Sequence, residues 1–186
     1  MKLSILNFGA AIVVVTVVIA LIYGSVQQTY RTAANDPQVQ MAEDLRAELE
    51  AGKSVSNIYH EDTIDIAHSL SPVVMFYDKS GKPLKSTGYL DGKMCQLPSG
   101  VFDHARRIGI HTVTWQPRYD VRMAVVLIHV NSSPVEFVAA ARSLREVEVR
   151  EANLRKMVLM CWGICVVIIA MAAGVQFRYL GKYATF

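Results

Sequence analysis

Residues 72–83 read Pro72-Val73-Val74-Met75-Phe76-Tyr77-Asp78-Lys79-Ser80-Gly81-Lys82-Pro83, and the reading of this stretch decides the fold. Val73–Asp78 is a β-branched and aromatic run too short for a stable helix, which predicts a strand. Lys79-Ser80-Gly81-Lys82-Pro83 supplies the small, polar and φ-restricted residues of a turn that leads into a second strand, Leu84–Leu90. Downstream, Pro98-Ser99 starts a short helix over Ser99–Ile108 that Gly109 stops. Ile110–Gln116 and Val121–Val130 then form a hairpin through Pro117-Arg118-Tyr119-Asp120. Residues 54–130 therefore predict a mainly antiparallel sheet interrupted by one short helix.

Helices flank this sheet. Upstream, Asn35 is an N-cap candidate, Pro37 takes the first helical position, Ala42, Leu45 and Leu49 share one stripe, and Gly52 ends the helix near Ala51. Downstream, no Gly or Pro interrupts the chain from Val135 to Gly163, which predicts one helix over Val135–Lys156 that runs on into the next apolar segment. Phe137, Ala140, Leu144, Val147, Leu154 and Val158 follow a three-to-four spacing broken only by Glu151. Arg142–Glu146, Glu146–Arg150 and Glu151–Arg155 stand four apart. Such a helix either lies on its own sheet or pairs with its copy in a homodimer through residues 135–158. The fold class expected is α+β, with long N- and C-terminal helices.

The outermost segments set the compartment. The chain has 186 residues, 52% of them hydrophobic, with 19 basic and 16 acidic side chains. None of these charges falls in Leu3–Tyr23 or Met157–Phe177. Each stretch has the roughly 20 apolar residues that cross a bilayer core. The first is too long for the apolar region of a cleaved signal and lacks a small-residue cleavage pattern, so it reads as an uncleaved anchor. The second is bracketed by Arg155 and Lys156 and by Arg178 and Lys182, with Phe177 and Tyr179 as an interfacial belt. The organisation expected is an anchor over 1–23, an extracytoplasmic domain over 24–156, a second span over 157–177 and a short cytoplasmic tail over 178–186. The basic residues before the second span oppose this orientation. Lys2 and the amino terminus favour it, and long segments translocate largely regardless of charge. Both termini then lie in the cytoplasm of a two-pass inner-membrane protein, and the flanking arginines meet anionic lipid headgroups. Cys95 is the one cysteine outside the spans, so an impermeant maleimide is expected to label it on intact cells. Three cysteines exclude a disulfide framework.

The 72–83 segment resembles the strand, aspartate-glycine turn and strand of the Cache or PAS-like extracytoplasmic sensor domains of bacterial receptors. The layout resembles them too, from a membrane helix running into a long helix, through a single sheet, to a helix returning to a second span, over roughly residues 24–177. The whole chain is also similar to a group of bacterial two-span membrane proteins. The resemblance implies a non-enzymatic sensor or interaction module. In receptors of this plan a large output domain follows the second span, whereas only nine residues follow here, so signalling is expected to pass through a partner protein or the spans themselves. A structural accessory subunit of a membrane or cell-envelope complex is the alternative, and an extracytoplasmic enzyme a distant third.

The chemistry-bearing residues are few. No nucleophile, P-loop, zinc-protease, redox or haem-attachment motif is present, and neither a catalytic residue nor a cofactor is assigned. His60-Glu61-Asp62 with Asp65 and His68 does not reproduce a zinc-ligand spacing, which favours a solvated helix start over a metal site. Asp103-His104-Ala105-Arg106-Arg107 is followed by His111, Trp115, Arg118 and Arg122. Strand alternation places His111, Val113 and Trp115 on one side, where a concave face between sheet and short helix would hold a small anion. The ligand-binding set expected is Tyr77, Arg107, His111, Trp115 and Arg122, against the reading that these arginines are solvated and Trp115 is core. Arg122 lies in an otherwise apolar strand and is expected buried, paired with Asp78 or Asp120. Cys161 and Cys165 share a helix face in the second span and read as packing residues. A net charge of +3 is too mild for nucleic acid.

Overall fold

A computed structural model describes residues 2–58 and 63–183. The elements are α1 (Lys2–Ala33), α2 (Asp36–Glu50), α3 (Val55–Ile58), β1 (Ile64–Asp65), β2 (Val73–Tyr77), β3 (Pro83–Ser86), β4 (Gly88–Leu90), β5 (Lys93–Met94), α4 (Ser99–Ile108), β6 (Ile110–Arg118), β7 (Val121–His129), β8 (Phe137–Ser143) and α5 (Arg145–Tyr183). They fall into two compact units, residues 31–148 and the pair of segments 1–30 and 149–186.

The two-segment unit consists of α1 and the greater part of α5. Both helices are long and apolar enough to cross a membrane. Large apolar side chains point outward on both, among them Leu6, Val13, Leu21, Leu159, Ile164 and Met171. Polar atoms are satisfied internally: Trp162 Nε1 donates to Thr16 Oγ1 at 2.9 Å, and Thr16 Oγ1 donates to the Ile12 carbonyl at 2.8 Å. Phe8 meets Phe177 at 6.5 Å between ring centroids, so the two helices run antiparallel.

The unit over residues 31–148 is α+β and is built on a five-stranded sheet of order β3-β2-β8-β7-β6 in which every neighbouring pair is antiparallel. A smaller sheet of order β1-β4-β5 lies beside it. Alternation divides the side chains of the large sheet between two cores. Phe76, Val126, Ile128, Val138 and Ala140 pack with Ala42 and Leu49 of α2. Met75, Tyr77, Met123, Val125, Leu127 and Phe137 pack with Val101, Phe102 and Ala105 of α4. Each of these larger side chains is withdrawn from water, which contributes about 1.5–3 kcal/mol apiece before entropy is charged against it.

The C-terminal ends of α2 and α4 follow their sequence signals, and the N-terminal cap of α2 does not. Gly52, at φ +83°, closes α2 with a Schellman motif in which Lys53 N bonds Glu48 O at 3.1 Å and Gly52 N bonds Leu49 O at 3.0 Å. Gly109, at φ +91°, ends α4 with its N–H on Ala105 O at 2.7 Å. Asn35 does not cap α2 with its side chain, which instead reaches back to the Arg31 carbonyl.

Two expectations are corrected. The predicted strand Leu84–Leu90 is broken at Thr87, whose N–H bonds Val74 O and whose Oγ1 accepts from Val74 N–H, both at 2.9 Å. β4 then leaves the large sheet to pair in parallel with β1. The predicted helix over Val135–Lys156 starts only at Arg145, because Phe137–Ser143 is the central strand β8, paired with β2 on one side and β7 on the other. A homodimer seam through 135–158 is thereby overturned for its first half: Phe137, Val138, Ala139, Ala140 and Ala141 are all fully buried in their own sheet.

Candidate functional site

The α4-facing side of the sheet carries most of the predicted set, and its sequence dictates a ring-on-ring core. β2 ends in Tyr77, β8 begins at Phe137, and α4 presents Phe102 one residue after Val101. Tyr77 meets Phe102 edge-on at 4.9 Å, and Phe102 meets Phe137 at 5.2 Å, within the favourable range for aromatic pairs. Tyr77 is fully buried, and its hydroxyl donates to the Cys95 carbonyl at 3.0 Å with Met75 Sδ at 3.2 Å. Burial first, and the neighbouring Cys95 second, push the phenol well above its ordinary value. Cys95 is itself buried, and desolvation raises its thiol to about 12, so the labelling expected of Cys95 does not suit the native protein. Trp115 belongs to the same core.

The Asp78 turn is bonded to this core. Asp78 Oδ1 accepts from Ser80 N at 2.8 Å, Ser80 Oγ at 2.6 Å and Lys82 N at 2.9 Å. The Ser80 hydroxyl, followed by the Lys82 amide, holds the carboxyl below its ordinary value. Gly81 sits at φ +77° with its α-carbon against the Phe102 ring, and its carbonyl accepts from Gln96 Nε2 at 2.8 Å. Arg106 closes the assembly from α4. It donates to Lys79 O at 2.8 Å, bonds Asp103 and Glu136 at 3.2 Å each, and stands 5.0 Å over the Phe137 ring. His129 Nε2 approaches the same Glu136 at 3.5 Å.

Of the other predicted residues, His111 faces α4 at the sheet edge and the arginines lie apart from the core. His111 is half-buried on β6 with its ring 4.2 Å from that of His104 on α4. Desolvation, with His104 second, lowers the His111 imidazole below its ordinary value. Arg107 is exposed on α4, one turn beyond His104. Arg118 forks onto Asp120 at 2.6 and 3.0 Å and reaches Asp91 at 3.1 Å, pinning the β6–β7 turn to the β4–β5 turn. Arg122 was expected buried beside Asp78 or Asp120; it is exposed and pairs with Glu148. Alternation along β7 puts Arg122 on the same side as Ala124 and Val126, away from Tyr77 and Trp115, so the five residues do not line one surface.

His60, Glu61 and Asp62 lie outside the described residues, and the remaining pair of that cluster, His68 and Asp65, stands 3.9 Å apart. Among the described residues no group of three or more His, Cys, Asp or Glu side chains is placed to hold a metal ion. Glu136 is the residue of this assembly that the sequence did not single out; His104 and Arg106 stand in the 103–107 run but outside the expected ligand-binding set. Arg106 was visible only as one of two adjacent arginines, and Glu136 was assigned to a helix, which concealed that it faces α4 from the start of a strand. No family model matches the chain, and no curated protein matches it.

Proposed function

We propose that this chain is a membrane-anchored, non-enzymatic module of Cache or PAS-like plan whose extracytoplasmic domain acts through a partner protein, with both termini in the cytoplasm of a two-pass inner-membrane protein. One observation carries the reading. The central strand of the sheet, β8, passes through the single residue Leu144 into α5, which continues unbroken into the segment apolar enough to cross a membrane. A change in what the sheet holds therefore has a covalent route along one helix to the span. The plan itself is supported by a five-stranded antiparallel sheet with its last strand in the middle, α2 on one face and the short α4 on the other, although the single sheet expected is joined by a second, three-stranded one.

The anion-binding part of the reading narrows to Arg107 and His111, since Tyr77 and Trp115 are core and Arg122 faces the other side. Thermal shift of the purified protein against a panel of organic acids and amino acids tests it, and a panel with no shift removes it. The alternative is a structural accessory subunit: Tyr77, Phe102 and Phe137 fill the space between sheet and α4, which argues against a metabolite cavity there. Crosslinking in native membranes decides between the two. Capture of a membrane signalling protein or transporter supports the sensor, capture of envelope-assembly proteins alone supports the accessory subunit, and capture of neither overturns both.

A further inference from the structure

The edges of the five-stranded sheet differ in kind. Edge strands expose rows of unpaired backbone groups, and monomeric proteins blunt them with charge, proline or short length. β3, at one edge, is blunted in this way: it is four residues long, begins at Pro83 and carries Lys85. β6, at the other, is nine residues long; Pro117 and Arg118 blunt its far end, whereas its Ile110–Gln116 stretch contains no Asp, Glu, Lys, Arg or Pro. Among the described residues β6 pairs only with β7.

Which groups face outward follows from the ladder. His129 N donates to Gly109 O at 2.8 Å, so 109 and 129 form a hydrogen-bonded pair. Antiparallel alternation then makes His111–Leu127, Val113–Val125 and Trp115–Met123 the bonded pairs of the β6–β7 ladder. The N–H and C=O groups of Ile110, Thr112 and Thr114 consequently point away from the sheet, as far as the register shift that follows Trp115. The side chains of Thr112, Thr114 and Gln116 are exposed beside them.

We propose that β6 is a homodimerisation edge, which pairs antiparallel with β6 of a second copy about a two-fold axis at Val113. In that register Thr112 faces the second copy's Thr114, His111 its Trp115 and Ile110 its Gln116. The outward groups of Thr112 and Thr114 are bonded to those of the second copy's Thr114 and Thr112, and no like charges meet. Threonine pairs are favourable cross-strand combinations. The isologous symmetry of a dimer requires a segment complementary to its own reverse, and Ile110–Gln116 meets that condition. A second observation is independent of the ladder. Among the described residues of the 31–148 unit, the two most exposed large apolar side chains are Ile108, 62% exposed, and Tyr119, 95% exposed. They stand just before and just after β6, so the two-fold brings the Ile108 end of one copy beside the Tyr119 end of the other.

The test uses the full-length chain in lipid bilayers, with Cys161 and Cys165 replaced by serine and buried Cys95 retained. Two differently tagged copies carry Thr112→Cys and Thr114→Cys and are oxidised together. The bonded-pair separation of about 5.5 Å between α-carbons lies inside the range a disulfide spans. Disulfide between the two different variants is expected at least about tenfold above that within either variant alone, because only the 112–114 pairing is directly opposed. Absence of disulfide, equal yields in all three combinations, or disulfide only to another protein overturns the proposal. As a second readout, Thr114→Pro removes an outward N–H and no bond of the β6–β7 ladder. It is expected to abolish the dimer while the domain still melts cooperatively, and a folded Thr114→Pro protein that remains dimeric also overturns it.

Discussion

Replacing Gly81 by alanine probes the lock between the Asp78 turn and α4. Two costs are separable. The first is conformational: at φ +77° an L side chain is strained by about 1–2 kcal/mol. The second is steric: a β-carbon would meet Phe102 Cδ2 at 2.8 Å, Cε2 at 2.9 Å and Cγ at 3.2 Å. That ring cannot swing away freely, since Tyr77 and Phe137 hold it edge-on at 4.9 and 5.2 Å. Forcing a methyl group into such packing costs roughly 1–3 kcal/mol, for a total of about 2–5 kcal/mol. Gly52 supplies the control, because its φ of +83° is nearly the same and nothing lies within 4 Å of its would-be β-carbon. Gly52→Ala should therefore show the conformational cost alone.

The assay is thermal unfolding of the full-length chain in detergent micelles, followed by near-ultraviolet circular dichroism of the aromatic core. At about 4 °C per kcal/mol for a domain of this size, Gly81→Ala lowers the midpoint by roughly 8–20 °C and Gly52→Ala by roughly 4–8 °C. Equal shifts would refute the reasoning, because they would mean that Phe102 does not bear on the turn.

Gln38 is buried in the first turn of α2 with its Oε1 unpaired among the described residues, so Gln38→Met is expected to stabilise the protein by about 1 kcal/mol. A loss of stability in chemical denaturation would show that this oxygen has a partner. The lowered His111 imidazole makes the folded state bind fewer protons than the unfolded chain just below the ordinary value of 6.5, so its contribution to stability is complete above that value and is lost as pH falls through the lowered one. Melting curves on either side of that window should show a drop that His104→Gln reduces, and an equal drop in both proteins would remove His104 as a cause. Asp78 acts in a lower window, since its depressed carboxyl supports the fold above the ordinary 3.8 and loses that effect as pH falls further. Asp78→Asn should therefore flatten the acid limb of the stability curve and leave the histidine limb as it was. Orientation is read from Lys93→Cys on exposed β5: an impermeant maleimide should label it on intact cells while native Cys95 stays unlabelled. Labelling of the variant only after lysis would put the domain in the cytoplasm.

The parts of the fold legible in the sequence are those whose surroundings differ from one face to the other. α4 was legible because Val101, Phe102 and Ala105 turn inward while Asp103, Arg106 and Arg107 turn out. The β6–β7 hairpin was legible from its turn residues. β8 was not, because a strand covered on both faces shows no alternation. Its Ala139-Ala140-Ala141 core is also the best helix-forming composition available, and the spacing of Phe137, Ala140 and Leu144 imitates a helical stripe. Burial on both faces was legible for Arg122's neighbours but not for Arg122 itself. It sits one residue into β7, where the strand emerges and Glu148 is available as a partner. The ring stack was half visible: Tyr77 was singled out, but for a ligand, and nothing local in the chain indicates that Phe102 and Phe137 meet it from α4 and β8.

The reassignment of residues 137–143 changes how a signal would travel. A helix lying on the sheet could slide along it with little cost to the sheet itself. A central strand cannot, because β8 is hydrogen-bonded to β2 and β7 along both edges, from Val73–Ala141 to Tyr77–Phe137 on one side and from Met123–Ser143 to His129–Phe137 on the other. Moving it by one residue would break both ladders and turn its side chains to the opposite faces. The start of α5 is therefore fixed to the rigid middle of the sheet, and any displacement has to come from motion of the sheet as a body. An interface at the β6 edge is the kind of contact that restrains such motion, since it extends the same hydrogen-bonded sheet across the two-fold. The Thr114→Pro variant tests this step as well: with the edge contact removed, capture of the partner protein proposed above should fall together with dimer yield. Capture unchanged in the monomeric variant would show that the module engages its partner one copy at a time.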